Sequence, residues 1–477
     1  MTLFRSFPVL ELELTKRYGK LYGLFSGHIP VLTINDPNLI RVVLIKDFHL
    51  FANRRKFNTK HEILDNNVLY ARDDNWKRMR SISSNIFSNV KLKTIYPLLS
   101  SCVHDLIDIL KVLAINGQDI NLKELCGNLS MDVIAKCAFA TQIDAYKDQN
   151  NPFIINAQKI FHPKLYKLIA GFVFPKCLLR VLNITTVFDD NANRFFFSIS
   201  RELIKKRRLN SEIHNDLFQL FINQENEIND QNNDNNCNEK QNKCKEYLDS
   251  DLDKVLTNSE KSIKTKTCLT DTEIISQSWL FLLAGYETVS TSLTFCLYEL
   301  ALNVEVQEKL YSEIQLAIDE NGHFDYENLS TLPYLDAVIS ESLRLYPAFI
   351  RVEREAKQDY QFTDSDIKLK AGQLIHVSIY GVQHNEEFFP EAEKFIPERF
   401  LPENKHKIVP YSYLPFGVGP RNCVGLRLAL MEMKVCVANV INQFRLNASK
   451  RTDIPPRYMT NTHVCVAEPL FISIKSR

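Results

Sequence analysis

The segment Phe416-Gly417-Val418-Gly419-Pro420-Arg421-Asn422-Cys423-Val424-Gly425 sets one thiol among an aromatic residue, three glycines and an arginine. An apolar helical pattern begins directly after it, Leu426-Arg427-Leu428-Ala429-Leu430-Met431. The thiol therefore falls at a helix N-terminus, where free N–H groups and the helix dipole favour thiolate. Thiolate is the form that ligates iron, glycine lets the backbone bend under a large flat ligand, and the arginine offers a forked cation to a carboxylate on it. These are the requirements for holding a haem by a single cysteine. A lone cysteine is more often a small buried hydrophobe. The run lacks the spaced glycines of dinucleotide sites and the lysine of a phosphate loop, and no second ligand at zinc spacing lies near.

A second constellation is Leu283-Ala284-Gly285-Tyr286-Glu287-Thr288-Val289-Ser290. Glycine in mid-helix costs about 1 kcal/mol relative to alanine. An acid beside a threonine in an apolar helix is also costly unless partnered. Alone, this reads as a small residue packed against a neighbour, with Glu287 ion-paired. Beside a haem, Gly285 opens room for dioxygen, Thr288 hydrogen-bonds it and Glu287 feeds protons through water. Glu341 and Arg344 stand at i and i+3 and can pair; a surface ion pair is the default. Trp76 and Arg80 lie one helical turn apart, Lys77 and Arg78 between them.

These residues must be carried by helices. Apolar spacing predicts a mostly helical stretch over residues 75–222, a long apolar helix from Asp271 to Asn303, a helix from Leu335 to Tyr346 stopped by Pro347, and a buried helix from Val424 to about Asn442. Strand signals are fewer: a hairpin over Lys20–Phe25 and His28–Ile34, then Gln373–Ile379. Asn35-Asp36-Pro37 opens a helix over Asn38–Lys46. The fold class expected is mainly α with a smaller β portion. Asn223 to Thr270 is rich in Asn, Gln, Asp, Glu and Lys and reads as a disordered insertion.

Composition is ordinary for a globular chain of 477 residues, and a net charge of +1 gives no bulk electrostatic case for nucleic acid. Eleven scattered cysteines suit free thiols in a reducing compartment. No run reaches the eighteen or so apolar residues of a membrane span. The apolar Leu168–Phe174 reads equally as core or as a membrane-dipping segment.

Together, the cysteine loop, the Ala284–Thr288 helix, the Glu341/Arg344 pair with the later Phe395–Phe400 segment, and Trp76/Arg80 resemble the cytochrome P-450 superfamily. Asn53-Arg54-Arg55 and Ser130-Met131-Asp132-Val133-Ile134 further resemble its microsomal 3A-type group in animals. The resemblance implies one P-450 domain over residues 1–477, a helical bundle around haem b with small β-sheets. It implies Cys423 as axial iron ligand and Glu287 and Thr288 as catalytic residues. Trp76, Arg80, Arg354, Phe416 and Arg421 then hold the haem, with Arg54 a weaker candidate. Glu341, Arg344 and Arg399 form a buried structural triad, and Leu280, Leu283, Ala284, Ala348 and Phe349 face the substrate. The activity implied is monooxygenation of a steroid, fatty acid or xenobiotic with O2 and NADPH. Electrons would arrive through NADPH–cytochrome P-450 reductase, with cytochrome b5 as an auxiliary partner. Lys77 and Arg78 would offer a basic docking face. The location implied is the cytosolic face of the endoplasmic reticulum membrane, with peripheral membrane contact. Three features depart from the group: Val289 where a second hydroxyl residue is usual, a longer Asn-rich insertion, and no N-terminal anchor. The rival activities are a haem-thiolate isomerase or dehydratase acting on peroxides, which needs no proton relay, and a non-catalytic haem protein.

Overall fold

The computed structural model describes residues 6–27, 29–55, 61–139, 188–209, 269–319, 324–363, 366–460 and 464–477, with 141, 143, 145, 146, 148, 150–161, 214 and 216–223 between them. Most of the Asn-rich insertion and the Leu168–Phe174 segment lie outside the described residues.

The chain opens with α1 (Phe7–Tyr18), the hairpin β1 (Leu21–Ser26) and β2 (Ile29–Ile34), and α2 (Pro37–Arg41). Asp36 caps α2, its carboxylate accepting from the Asn38 and Leu39 amides, while Pro37 fills the first turn. The helix expected to reach Lys46 does so as a wider π-helical turn over Val42–Lys46. Next come α3 (Glu62–Asp65), α4 (Asp73–Ile86), α5 (Asn89–Ile115), β3 (Ile120–Asn121), α6 (Leu122–Phe139), α7 (Pro152–Phe161), α8 (Asp190–Leu209) and α9 (Leu217–Asn223). The second half holds α10 (Asp271–Leu302), α11 (Val304–Gln315), α12 (Tyr326–Ser330) and α13 (Pro333–Leu345). Then follow β4 (Arg351–Glu355), β5 (Tyr360–Gln361), β6 (Lys368–Leu369), β7 (Leu374–Ser378), α14 (Ile379–Gln383), α15 (Leu426–Gln443), β8 (Phe444–Ala448) and β9 (Phe471–Ser476).

The fold is thus mainly α with a smaller β portion, as the periodicity predicts. A four-stranded sheet runs β1-β2-β7-β4, with β2 and β7 parallel and the outer pairs antiparallel. A three-stranded sheet, β3-β9-β8, ties the start of α6 to the C-terminus.

The central element is α10, 32 residues long. It begins in a reciprocal capping box: Thr270 Oγ1 accepts from the Glu273 amide at 3.3 Å, and the Glu273 carboxylate accepts from the Thr270 amide at 2.9 Å. It packs along α6 and also meets α15, β8, α8 and α13. Among the described residues α10 is the one helix long and apolar enough to cross a membrane, but 61% of its most apolar window is already buried by the protein. Its apolar character is that of a core helix. Only its middle breaks the pattern: residues 274–282 and 289–301 are buried, whereas Leu283–Thr288 keep accessible surface, most of all Ala284.

Candidate active site

The cysteine loop is built by its glycines. Gly417 (φ +70°) and Gly419 (φ +81°) both sit in the left-handed region. A Cβ on Gly419 would stand 2.0 Å from the Leu44 carbonyl oxygen. The turn closes when the Cys423 amide donates to the Phe416 carbonyl at 2.9 Å and the Asn422 amide to Gly419 at 3.0 Å. Helix α15 starts three residues later, so the thiol receives the Gly425 and Leu426 amides, as the sequence predicts for a helix N-terminus. These donors and the fields of Arg80 and Arg54 pull its pKa down, but burial outweighs them and the net direction is up. The amides and arginines thus offset part of the burial cost of a thiolate, and a metal cation held there would supply the rest. Among the described cysteines Cys423 alone is not buried. Its sulfur nonetheless lies deep in the fold, so its accessible surface faces inward.

Around this loop converge four guanidiniums. Arg80 on α4 anchors the loop itself, donating to the Asn422 carbonyl at 2.7 Å and to Asn422 Oδ1 at 2.5 Å. Arg421 stacks on the Trp76 ring, 4.9 Å from its centroid, and donates to the Ala52 carbonyl at 2.5 Å and to the Ala71 carbonyl. Arg354 comes from β4, and Arg54 donates to the Leu69 carbonyl at 3.3 Å. The nearby carboxylates are taken elsewhere: Glu355 by Arg72, Glu353 by Arg55 and His376. Burial, then mutual repulsion, therefore pulls Arg421 down to about 8 and Arg354 to about 9, and burial pulls Arg80 to about 10. Guanidinium does not give up its proton in proteins. The strain is instead a demand for anions, and the buried Nε atoms of Arg354 and Arg421 have no partner. A flat ligand with two carboxylates above a cysteine fits this donor set; a structural metal site does not, since no cluster of three metal-ligating side chains exists among the described residues.

On α10, Thr288 donates its hydroxyl proton to the Ala284 carbonyl at 2.5 Å, leaving its lone pairs as acceptors. Glu287 and Thr288 are both partly accessible. The structure corrects the expectation for Gly285: a Cβ there would meet Ile134 Cδ1 at 3.1 Å. Gly285 thus lets α6 approach α10, and the residue with open surface is Ala284. Of the substrate-facing candidates, Leu283 is half-buried and Phe349 is 47% exposed, while Leu280 and Ala348 are packed into the core.

Glu341 and Arg344 pair through two 2.8 Å hydrogen bonds with no exposed side-chain surface, so the surface default does not hold. Arg344 also donates to the carbonyls of Gln383, Ala392 and Lys394, and Arg399 reaches Glu341 at 3.3 Å. This network holds α13 to the segment leading into the cysteine loop. Arg78 departs from the expected docking face: it turns inward to pair with Glu273, clasping α4 to the start of α10, while Lys77 pairs with Asp74 at 3.0 Å. Sequence reasoning also missed Asn422 as the anchor of Arg80. A position adjacent to Cys423 was the available signal.

A core helix carrying an acid and a hydroxyl, an inward-facing cysteine at a helix start and an uncompensated arginine cluster define the haem-thiolate class. A model of the family "Cytochrome P450" matches residues 10–474. Cytochrome P450 3A12 of Canis lupus familiaris is 33% identical over 477 residues, covering 99% of this chain and 88% of its own length. Cytochrome P450 3A9 of Rattus norvegicus is 34% identical (97% and 86% covered), and cytochrome P450 3A5 of Homo sapiens 33% identical (98% and 87% covered). The chain belongs to the cytochrome P450 family and is a haem-dependent monooxygenase.

Proposed function

We propose that the protein inserts one oxygen atom of O2 into a lipophilic substrate, a steroid, fatty acid or xenobiotic. Electrons come from NADPH through NADPH–cytochrome P450 reductase, with cytochrome b5 as an auxiliary donor, at the cytosolic face of the endoplasmic reticulum membrane. The observation that carries this reading is the accessible Leu283–Thr288 stretch in an otherwise buried helix, with a carboxylate and a hydroxyl side by side. An isomerase of peroxides has no use for that pair.

In this reading Cys423 would ligate the iron, Arg80, Arg354, Arg421 and Arg54 with Trp76 would hold the haem carboxylates, and Phe416 would pack beside the loop. The haem, when bound, supplies the binding and reductive cleavage of dioxygen. Thr288, its own proton fixed on Ala284, accepts a hydrogen bond and so orients a proton donor. Glu287 exchanges protons with water and passes them toward Thr288. Ala284, Leu283 and Phe349 present apolar surface to the substrate and keep water out. Leu280 and Ala348 back that surface from the core.

The test is paired. The reduced, carbon-monoxide-bound protein should show the red-shifted Soret band of thiolate ligation; a histidine-type band rejects Cys423 as ligand. Thr288→Ala should leave that band intact and uncouple NADPH use from product formation. Unchanged coupling rejects the relay.

A further inference from the structure

We propose that the interface between α1 and the four-stranded sheet is a binding site for internal water, held by the side chains of Glu11, Tyr22, Thr33 and Asn35. It lies apart from the arginine cluster and from the middle of α10, and it stands whether or not the oxygen chemistry above is right.

The sheet face that a helix covers is normally apolar. This one carries a polar row. Strand register sets Tyr22, Thr33, His376 and Glu353 side by side across β1, β2, β7 and β4, so their side chains share one face. The Asn35 amide continues the ladder to the Lys20 carbonyl at 2.7 Å, which puts the Asn35 side chain on that face too, two residues after Thr33. Helix α1 covers it with Glu11 and Thr15, one turn apart. Glu11 Oε1 lies 3.5 Å from the Arg351 guanidinium, and Asn35 Nδ2 donates to Thr15 Oγ1 at 3.1 Å. Gly381 brings α14 against the same spot, where a Cβ would collide with Thr15 Oγ1.

Inside this sandwich the polar groups do not satisfy one another. Glu11 is 2% exposed, Tyr22 7%, Thr33 1% and Asn35 1%. Yet Glu11 Oε2, the Tyr22 hydroxyl, Thr33 Oγ1 and Asn35 Oδ1 have no hydrogen-bond partner among the described residues. Four such atoms in a dry interface would oppose the docking of α1. Two of them, the carboxylate and amide oxygens, only accept; the two hydroxyls can also donate. Water, which does both, completes such a set. Tyr22 senses the same neighbours: burial and Glu11 push its pKa up to about 12, while Thr15, Asn35 and Arg351 pull the other way, so the phenol keeps its proton to donate. Charge favours a neutral occupant, because Arg351 already balances Glu11 and a cation would add a buried charge with no counterpart.

The experiment reads the sign of a deletion. Thr33→Val keeps the β-branched shape and Tyr22→Phe keeps the ring; each removes one hydroxyl. A hydroxyl that binds water is a lost partner when removed, so the apparent thermal midpoint of the haem-loaded full chain should fall by about 1 °C or more in each variant. Removing a dry, unpartnered hydroxyl raises it instead. A crystal structure of the parent should show ordered solvent about 2.7–3.2 Å from Glu11 Oε2, between α1 and the sheet. Midpoints that hold or rise in both variants overturn the proposal, as does an interface with no solvent density. Density with oxygen contacts at about 2.3–2.6 Å also overturns it, since those are the distances of a metal cation.

Discussion

Replacing Glu432 by glutamine isolates the cost of one buried acid on the helix that follows the cysteine loop. Glu432 is 4% exposed, and Ser130 Oγ donates to it at 3.0 Å. Burial pushes its carboxyl from 4.5 up to about 7, against the smaller pull of that hydrogen bond. Between those values the native chain holds a proton that the unfolded chain has released, so stability falls as pH rises. Below 4.5 both states hold the proton and above about 7 neither does, so the slope vanishes on both sides. At about 1.4 kcal/mol per pH unit, the full penalty is on the order of 3 kcal/mol. Glutamine keeps the shape and the acceptor for Ser130 but has nothing to ionise. Glu432→Gln should therefore match the parent in urea-derived unfolding free energy near pH 4.5 and exceed it by ~3 kcal/mol near pH 8. Glu299, also pushed up to about 7 by burial, gives the parent a second carrier of the same slope, which the variant retains. A parent–variant gap that stays constant with pH refutes the reasoning.

Glu341→Ala leaves Arg344 fully buried beside backbone carbonyls and the Phe389 ring with no anion, and should cost about 3–5 kcal/mol in unfolding experiments; a loss near zero contradicts the buried network. Gly419→Ala forces a clash with the Leu44 carbonyl at a left-handed backbone, whereas Gly285→Ala meets only the end of the Ile134 side chain; thermal midpoints should separate the two widely, and equal midpoints refute the loop geometry. Arg421→Met should speed transfer of haem to an acceptor protein by roughly tenfold or more, as loss of a charge-assisted contact implies; an unchanged transfer rate refutes its role toward the propionates.

The sequence made the iron-side chemistry legible because it is local. Gly417, Gly419 and the start of α15 at Leu426 follow closely along the chain, so turn and helix signals alone place Cys423. Helix positions were legible for the same reason: the spacing predicts Asp271–Asn303 and the structure has Asp271–Leu302. Direction around α10 was not. That helix is apolar on nearly every side, so its pattern carries little phase, and Gly285 could not be assigned to α6 rather than to the haem side. Long-range pairing was equally hidden. Arg78 reads as a surface cation beside Lys77, and only the approach of α4 to the capping box of α10 reveals Glu273 as its partner. Glu432 reads as one acid in a helix; its burial against α6 depends on where α6 lies.

If the cluster of Arg54, Arg80, Arg354 and Arg421 holds the haem, its crowding would link the amount of this protein in a cell to the supply of its cofactor. Like charges gathered in the interior oppose the native state. An anionic ligand that binds only the native chain adds RT ln(1 + [L]/Kd), about 4 kcal/mol at a thousandfold excess over Kd. Chains synthesised while haem is scarce would spend more time open, where proteases act. Abundance would then follow porphyrin synthesis as well as transcription, with the arginine cluster serving as the checkpoint between the two.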